Sequence, residues 1–570
     1  MKTTQSRVFL SLLLIGAAYF LLFWPVNALG ARDQTMISVF DPDEFAQYSH
    51  PVRMLDQPGN TLKQSIYRFT AYQHYYYGYP FYLYSAVVAL LPLKLILGSG
   101  NTSYNMLLLR QLVSVLPMIA AVALLVYLQT KFQSYLRSIS LFIFLLTIPA
   151  VFQNDTWWHP ESLVFFFIVL TFYFLYKDNL SFGKYFYLSA IASGLAVATK
   201  LIGLFFFLAI PTYIALGWRQ GRINFTNALR LSVAFVALMA VTFIVSNPFL
   251  LFASEREAAF KIQSRQSESM SDGFVLSYAK GPATWIPLIT ENYAQPLFLL
   301  IGFVALGIGV AQKETRLLSL LIALWAIPFT LYLLFAIAIK PKHFFIPILL
   351  PVFSTLPFLF DAIWPQFVTL KKRFVRSKGL VHGVGDSSLP TKRVAQNDRP
   401  GGCELGKMIM FLVVAIITLN QLVYNFNFDV EHYLAELNKE KNSQAIQFYE
   451  KLDQIVFSKI PADDHLVIFR DVRMYVADLP RWEVKFRWGT QDYAAIQKAD
   501  ADALVLWKQR LYDYTQAGAA ERALDQTEFA EAARFYNDAL DDNVEGYHLI
   551  YQDDFGVAYI STALYDQYFK

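Results

Sequence analysis

The chain has 570 residues, of which 55% are hydrophobic and only 16% are charged, and its mean hydropathy of +0.36 is positive. This composition excludes a single soluble enzyme and indicates a protein that crosses a membrane several times. The one cysteine, Cys403, excludes an intrachain disulfide and any cysteine-based metal cluster.

The net charge of +4 conceals two opposite parts. Residues 1–428 contain 33 Lys and Arg against 18 Asp and Glu, whereas residues 429–570 contain 15 against 26. A cationic membrane part followed by an acidic tail indicates that the tail is a separate, water-soluble domain.

Apolar runs predict eleven membrane-spanning helices. The first follows Lys2 and Arg7 and is longer than the apolar region of a signal peptide, so we expect it to stay uncleaved. A further Pro-bounded segment, 81–98, is predicted to be re-entrant or to lie along the interface, because a full crossing would invert the alternation of basic loops. The predicted spans are 8–29, 106–130, 138–153, 162–177, 185–200, 201–217, 228–248, 297–312, 317–338, 343–361 and 408–428.

Basic side chains in alternate loops predict the orientation of the chain. Lys131, Lys177, Arg219 and Lys313 mark loops on the cytoplasmic side, which also holds the N-terminus. We therefore expect an integral protein of the cell (inner) membrane with an extracytoplasmic C-terminal domain. The loops predicted to face outward are 41–79, 154–161, the neighbourhood of Lys200, 249–296, 340–343 and the tail.

The last third of the chain combines a linker, one span and the tail. Residues 362–407 carry nine Lys or Arg and three acids, which predicts a flexible cytoplasmic linker near anionic lipid. In the tail, apolar runs at 466–469 and 503–507 alternate with helical patterns such as 521–540. The sequence thus predicts a mostly α, polytopic bundle with a small C-terminal α/β domain. The sequence does not distinguish three roles for that domain: acceptor docking, a lid over the site, and structural support of the membrane part.

Charged side chains gather on the predicted outer face. Asp41, Asp43 and Glu44 place three acids in four residues directly after the first span. A carboxylate at bilayer depth costs at least ~2.5 kcal/mol and is usually functional or paired. The alternative is that these acids lie in a solvated loop where the first span leaves the membrane. The other candidates are Asp155, His159 and Glu161 in the next outer loop, Lys200 between two apolar helices, and Lys342 with His343 at the start of a late span.

Several candidates also have an ordinary structural explanation. Lys200 would extend its charged end to the interface or pair with a helix end. His159 would cap a helix or bridge two polar groups. Lys342 would anchor a span at the interface. The functional interpretation is favoured because the acids and the cations are predicted to lie on the same side of the membrane. That prediction depends on other residues, the basic side chains in alternate loops.

Acids opposite cations at a lipid interface suit transfer of a sugar from a lipid phosphate. A carboxylate can take the proton of an attacking hydroxyl, and cations can hold the departing phosphate as the glycosidic C–O bond breaks. One base with in-line displacement through an oxocarbenium-like transition state inverts the sugar centre. No nucleotide-binding loop is needed for this reaction.

The order of these motifs resembles the GT-C glycosyltransferases, and within them the protein O-mannosyltransferase and aminoarabinose-transferase branch. The resemblance covers residues 1 to about 361, and the tail has no counterpart that can be matched by residue. The similar stretches are 43–48 after the first span, Tyr79-Pro80-Phe81-Tyr82, Pro160-Glu161, Gly194 to Lys200, and Lys342 to Pro351.

This resemblance implies a transmembrane catalytic domain over 1–361, a polyprenyl- or dolichyl-phosphate sugar donor, and inversion. Some members bind a divalent metal near the first acid, and the sequence leaves a metal here open. By motif position the catalytic acid is Asp43 with Glu44 beside it, the second outer acid is Glu161 with Asp155 and His159 near it, and the phosphate-binding cations are Lys200, Lys342 and His343.

The favoured function is an inverting glycosyltransferase that acts on the outer membrane face. A transporter or flippase of lipid-linked saccharide would also use charges in a cavity, but the later half contains no second copy of the 41–44 motif, as an internal repeat would give. A membrane scaffold would leave Lys200 and the three acids unexplained. We expect membrane lipid, a lipid-linked sugar donor and a protein, lipid or glycan acceptor as partners, with no nucleic acid and no further required cofactor.

Overall fold

The structure is a computed structural model that describes residues 3–56, 59–98, 100–360, 362, 402–461 and 463–570. These residues form a helical membrane part and a C-terminal domain built on a five-stranded sheet. The predicted linker at 362–407 lies mostly outside the described residues, so its cytoplasmic position and flexibility stay predictions.

Eight helices of the described residues are long and apolar enough to cross a membrane. A ninth is counted if Pro282–Asn292 and Pro296–Ala311, which meet at 93°, form one bent span. Many apolar side chains on these helices are exposed, such as Leu14 and Val233, as contact with lipid requires. The eight are Thr4–Asn27, Tyr79–Leu97, Thr102–Thr130, Leu201–Arg219, Phe225–Val245, Arg316–Ala336, Lys342–Phe360 and Ile409–Leu437.

Three predicted spans form shorter or more polar helices. They are Tyr135–Leu146, Glu161–Asp178 and Lys184–Thr199, with 12, 18 and 16 residues. At 1.5 Å per residue, a helix of this last length reaches about 24 Å, less than a hydrocarbon core of about 30 Å. The polytopic helical bundle is confirmed, whereas the count of eleven spans stays a prediction.

The first spanning helix and the helix Thr102–Thr130 run antiparallel. The Gln5 side chain donates to the Lys131 carbonyl (3.0 Å) at one end, and Arg110 donates to the Leu29 carbonyl (2.7 Å) at the other. The N-terminus and Lys131 therefore lie at the same end of the bundle, as the distribution of basic residues predicts.

The helix Tyr79–Leu97 occupies the segment predicted to be re-entrant or interfacial. At its start the Gly78 N–H donates to the Thr199 carbonyl (3.0 Å), and near its end Lys94 pairs with Asp56 (2.7 Å). Both ends thus contact segments predicted to face outward, as expected for a helix that lies along one membrane face. The helix is continuous and also long and apolar enough to cross a membrane, so a re-entrant or interfacial position stays a prediction.

The first outer loop contains three helices, Gln34–Phe40, Pro42–Asp56 and Leu62–Thr70. The first and third have side-chain N-caps from Asp33, which accepts from the Met36 N–H (2.7 Å), and Thr61, which accepts from the Gln64 N–H (3.3 Å). The second is capped by Asp41. The remaining helical segments of the membrane part are Trp24–Asn27, Pro149–Asn154, Pro248–Leu251, Ala253–Asp272 and the 3₁₀ turn Lys342–Phe345 that precedes Ile346–Phe353.

The C-terminal domain contains the strands β1 (Leu466–Arg470), β2 (Trp482–Phe486), β3 (Ala503–Trp507), β4 (Tyr547–Gln552) and β5 (Gly556–Ser561) in the sheet order β2-β1-β3-β5-β4. Strand β1 is parallel to β2 and β3, and β5 is antiparallel to β3 and β4. The α/β prediction is confirmed, including its two predicted strands. The packed helices are Gln444–Ile455, Tyr493–Ala499, Lys508–Thr515, Gln526–Leu540 and Thr562–Tyr568.

The C-terminal domain and the first outer loop share a hydrophobic core. Met36 and Val39 of the loop belong to the same buried cluster as Ile468 of β1. Beside them, the buried Arg470 donates to the Ser38 hydroxyl (2.9 Å). A short helix of the first outer loop therefore contributes to the core of the C-terminal domain, and the predicted domain boundaries stay a prediction. The last spanning helix, Gly402–Leu437, also continues past the predicted boundary without a break.

Candidate active site

Three acids surround the start of the helix Pro42–Asp56. Asp41 precedes the helix, and one of its carboxylate oxygens accepts from the N–H groups of Asp43 (2.9 Å) and Glu44 (3.0 Å). These are N–H groups that a helix leaves unpaired at its start, so Asp41 is the N-cap. The cap explains Asp41 structurally, while its predicted contact with substrate stays a prediction.

Glu44 is buried in a bidentate ion pair with Arg110. Arg110 Nε donates to Oε1 (2.8 Å) and Nη2 donates to Oε2 (2.5 Å), while the Trp158 N–H donates to Oε1 (2.5 Å). Arg110 Nη1 donates to the carbonyls of Asn27 (3.0 Å) and Leu29 (2.7 Å). Both carboxylate oxygens are engaged by protein donors and the side chain is buried, which disfavours contact of Glu44 with substrate. These contacts give Glu44 a structural role, while its predicted catalytic role stays a prediction.

Asp43 lies one residue earlier and is exposed. Within the described residues, its carboxylate has no hydrogen-bond or ion-pair partner, while its N–H donates to Asp41. Surrounding protein desolvates the carboxylate and raises the pKa of Asp43, while the cations Lys200 and Arg473 act in the opposite direction. An acid that reaches solvent yet is flanked by protein on most sides is typical of a cleft.

Glu161 is the centre of a buried cluster. Lys200 Nζ contacts its Oε1, His343 Nε2 lies 3.2 Å from the same oxygen, and His159 Nδ1 contacts Oε2. The Glu161 side chain is only 2% exposed, so its charge depends on these partners. Four residues predicted to share a pocket are therefore in contact, although they come from three separate segments of the sequence.

Aromatic side chains hold this cluster in place and connect it to the first outer loop. The His159 ring stacks on Trp157 (4.1 Å between centroids, 8°), and its Nε2 lies 2.6 Å from the Tyr77 hydroxyl. Lys200 Nζ lies 4.9 Å from the centre of the Phe344 ring and 5.6 Å from that of Tyr77. Tyr77 belongs to the loop that carries Asp43, so one loop contributes to both parts of the site.

Three members of the cluster could hold a metal ion. His159, Glu161 and His343 offer ligand atoms that all lie within 4.8 Å of one another. His159 Nδ1 and Glu161 Oε2 face each other without hydrogen-bond geometry, and two imidazoles with a carboxylate form a typical zinc donor set. Burial lowers the pKa of His159 well below its ordinary value, which favours the neutral form that ligates metals.

Two predicted site residues lie elsewhere. Lys342 Nζ donates to Gln153 (2.6 Å) rather than to Glu161. Asp155 is buried and accepts from the Tyr19 hydroxyl (2.9 Å). Within the described residues, the structure brings neither side chain into contact with Asp43 or Glu161. Their predicted binding roles are therefore not supported by the arrangement.

Sequence reasoning missed three residues that shape the site. Arg110 had a signal, since a lone arginine inside the apolar run 106–130 needs a buried acidic partner. Tyr77 was hidden among many aromatic residues of the same loop. Arg473 comes from the C-terminal domain and has no local motif, so only the packing of that domain against the outer loop reveals it.

No protein-family model matches the chain, and a search of curated proteins found no significant match. Solved structures are similar over almost the whole chain. ArnT from Cupriavidus metallidurans bound to undecaprenyl phosphate is 12% identical, with 97% of this chain and 98% of that chain covered and a TM-score of 0.50.

The apo state of the same protein gives 13% identity and a TM-score of 0.47 over 97% and 98% of the two chains. The archaeal oligosaccharyltransferase AglB from Archaeoglobus fulgidus, in complex with an inhibitory peptide and a dolichol-phosphate, gives 10% identity and 0.44 over 96% of this chain and 74% of that chain. At these identities the similarity to undecaprenyl-phosphate-bound ArnT concerns the fold. The chain has the GT-C fold that its motifs predicted.

Proposed function

We propose that this protein is an inverting glycosyltransferase that moves a sugar from a polyprenyl-phosphate donor to an acceptor at the outer membrane face. The observation that carries this proposal is a combination of two features on the same side of a GT-C fold. One is the exposed Asp43, whose carboxylate has no partner among the described residues, and the other is the cluster that contains Lys200 and His343. The ArnT structure of the same fold contains undecaprenyl phosphate, a polyprenyl phosphate.

Asp43 is the general base in this proposal. Its carboxylate is free to accept the proton of an acceptor hydroxyl, which Glu44 is not. Partial desolvation raises the pKa of Asp43 and makes it a stronger base than an ordinary carboxylate. Direct displacement with a single base inverts the anomeric centre, and among the described residues Asp43 is the one acid of the 41–44 group whose carboxylate is free.

Lys200 and His343 are the groups that bind the donor phosphate. Both converge on the same oxygen of Glu161, so the carboxylate holds the cation and the imidazole in one place before the donor arrives. When the glycosidic C–O bond breaks, negative charge grows on the phosphate oxygen, and the Lys200 ammonium stabilises it. Glu161 thereby acts as a positioning residue.

The donor set of His159, Glu161 and His343 also fits a divalent metal such as Zn²⁺. A bound ion would add positive charge beside the departing phosphate. Metal analysis of the purified protein tests this assignment: about one equivalent in the wild type, and its loss in His159→Ala, would place a metal here. If the purified enzyme is active without bound metal, the metal assignment is wrong and Lys200 is the cation that pairs with Glu161.

The reaction is tested with the full-length protein in isolated membranes, which supply acceptors, and a panel of radiolabelled polyprenyl-phosphate sugars. We expect one donor to give a labelled acceptor and free polyprenyl phosphate. Asp43→Asn should lower the rate by at least about 10²-fold, as loss of a general base does. Asp272→Asn is the matched control, because Asp272 is an exposed acid that pairs only with the exposed Lys280.

An active Asp43→Asn protein would remove Asp43 as the base. Movement of an intact donor across the membrane, without bond cleavage in either protein, would instead support the transporter that the sequence also allowed.

A further inference from the structure

The carboxyl ends of β1 and β2 face the helix turn that carries Asp43. Arg473 lies just after β1, and its Nη1 donates to the carbonyls of Val39 (3.2 Å) and Phe40 (3.4 Å), immediately before the acidic group. In open sheets with parallel strands, ligands bind outside the carboxyl ends of the strands. In this protein, the carboxyl ends of β1 and β2 face Asp43.

Aromatic rings extend this edge. Phe486 ends β2, and its ring lies 5.0 Å from the ring of Phe45, two residues after Asp43. The Trp488 ring lies 5.6 Å from Phe486 and 6.1 Å from Phe45. Trp488 is 49% exposed, so a large flat side chain remains open to a ligand beside the site.

Arg473 differs from two neighbouring arginines of the domain in its partners. Arg510 pairs with Asp471 and Arg487 pairs with Asp492. Among the described residues, no carboxylate lies within ion-pair distance of Arg473, and its two carbonyl contacts involve a single nitrogen. A guanidinium has five N–H donors, so most of its hydrogen-bonding capacity is available to an anion.

We propose that Arg473, Phe486 and Trp488 form the acceptor-binding surface, and that the acceptor carries an anionic group close to its reacting hydroxyl. This inference rests on the proposed glycosyl transfer and adds the chemical class of its acceptor. The aromatic rings pack against the body of the acceptor, Arg473 binds the anionic group, and the hydroxyl then lies toward Asp43.

The chemical step balances with the groups already named. The acceptor hydroxyl oxygen forms a bond to the anomeric carbon, and the bond from that carbon to the phosphate oxygen breaks. The hydroxyl proton passes to Asp43, and polyprenyl phosphate leaves with the electron pair of the broken bond. Arg473 takes no part in this exchange and is a binding residue.

Binding is tested by ¹⁹F NMR of the full-length protein labelled with 5-fluorotryptophan in lipid nanodiscs. Trp488→Phe identifies the resonance of Trp488 among the ten tryptophans. The probe is glycerol 3-phosphate, which carries a hydroxyl beside an anion, and glycerol is the neutral comparison. Arg481→Gln is the matched control, since Arg481 also donates to two carbonyls and lies 5.1 Å from a tryptophan ring, that of Trp482.

We expect glycerol 3-phosphate to shift the Trp488 resonance saturably and glycerol to leave it in place. Arg473→Gln should weaken the apparent affinity by about tenfold or more, because it removes a charge-assisted contact. Arg481→Gln should keep the wild-type affinity. The remaining tryptophan resonances report whether each variant is folded, and Arg473→Lys, which keeps the charge, should retain measurable binding.

No shift in the wild type, or an equal shift in Arg473→Gln, would overturn the acceptor surface. This outcome is independent of donor cleavage, which the polyprenyl-phosphate panel measures. If donor cleavage depends on Asp43 but the Trp488 resonance does not shift, only the acceptor surface is refuted. If no donor is cleaved, the proposed function is refuted.

Discussion

Arg110 donates two hydrogen bonds to the carboxylate of Glu44, at 2.8 and 2.5 Å, and the two side chains are 1% and 0% exposed. The pair joins a spanning helix to Pro42–Asp56, the second helix of the first outer loop. It thereby fixes the turn that presents Asp43, although neither partner reaches the substrate side.

Removal of either partner should destabilise the protein. Glu44→Gln or Arg110→Met leaves an unpaired buried charge, and we expect the free energy of unfolding to fall by about 3–5 kcal/mol. The double variant should lose less than the sum of the two. Thermal unfolding of the purified proteins checks this, and Asp43→Asn should unfold like the wild type. A stable but inactive Glu44→Gln would restore Glu44 as a catalytic candidate.

Lys200 and Lys342 should differ in their effect on donor binding. Lys200 contacts Glu161 within the cluster, whereas Lys342 is engaged with Gln153. We expect Lys200→Ala and His343→Ala each to weaken binding of undecaprenyl phosphate by about tenfold or more, because each removes a phosphate contact. Native mass spectrometry with that lipid measures the change. Lys342→Ala is the control, and an equal loss in it would place Lys342 at the phosphate.

The pH dependence of transfer should report the environment of Asp43. The base must be deprotonated, so the rate falls as pH drops through its pKa, which desolvation places above that of an ordinary aspartate. Arg473 lowers this pKa, so Arg473→Gln should raise it and move the acidic limb of kcat/KM to higher pH. Arg481→Gln should leave the limb in place. A limb that stays or moves to lower pH in Arg473→Gln would contradict the assignment.

The sidedness of the site can be measured by cysteine labelling in a Cys403→Ser background. Ser49 is exposed on the Pro42–Asp56 helix, and Gln220 is exposed in a loop predicted to be cytoplasmic. We expect a membrane-impermeant maleimide to label Ser49→Cys in intact cells and to label Gln220→Cys only after the membrane is opened. The reverse pattern would invert the topology and remove the outer-face reaction.

The sequence by itself determined the class of the protein, its helical bundle and its α/β tail. Long apolar runs and unequal charge between the two halves reflect the solvent that each segment contacts, and this is a property of local composition. It also identified Glu161, Lys200, His159 and His343 as one group, because loops on one side of a membrane must converge. Strands β2, β4 and β5 escaped prediction: β2 and β4 are edge strands that bury few of their residues, and β5 is a short apolar run that periodicity alone does not distinguish from a helix segment.

Only the tertiary structure decided which acid is free. Asp43 and Glu44 are adjacent and chemically alike, but successive helical side chains point about 100° apart. One therefore meets Arg110, 66 residues away in the chain, and the other faces the cleft. The same holds for Arg473, whose position beside Asp43 depends on a core that two distant segments build together. Partners of buried charges are set by long-range packing, which local sequence patterns do not contain.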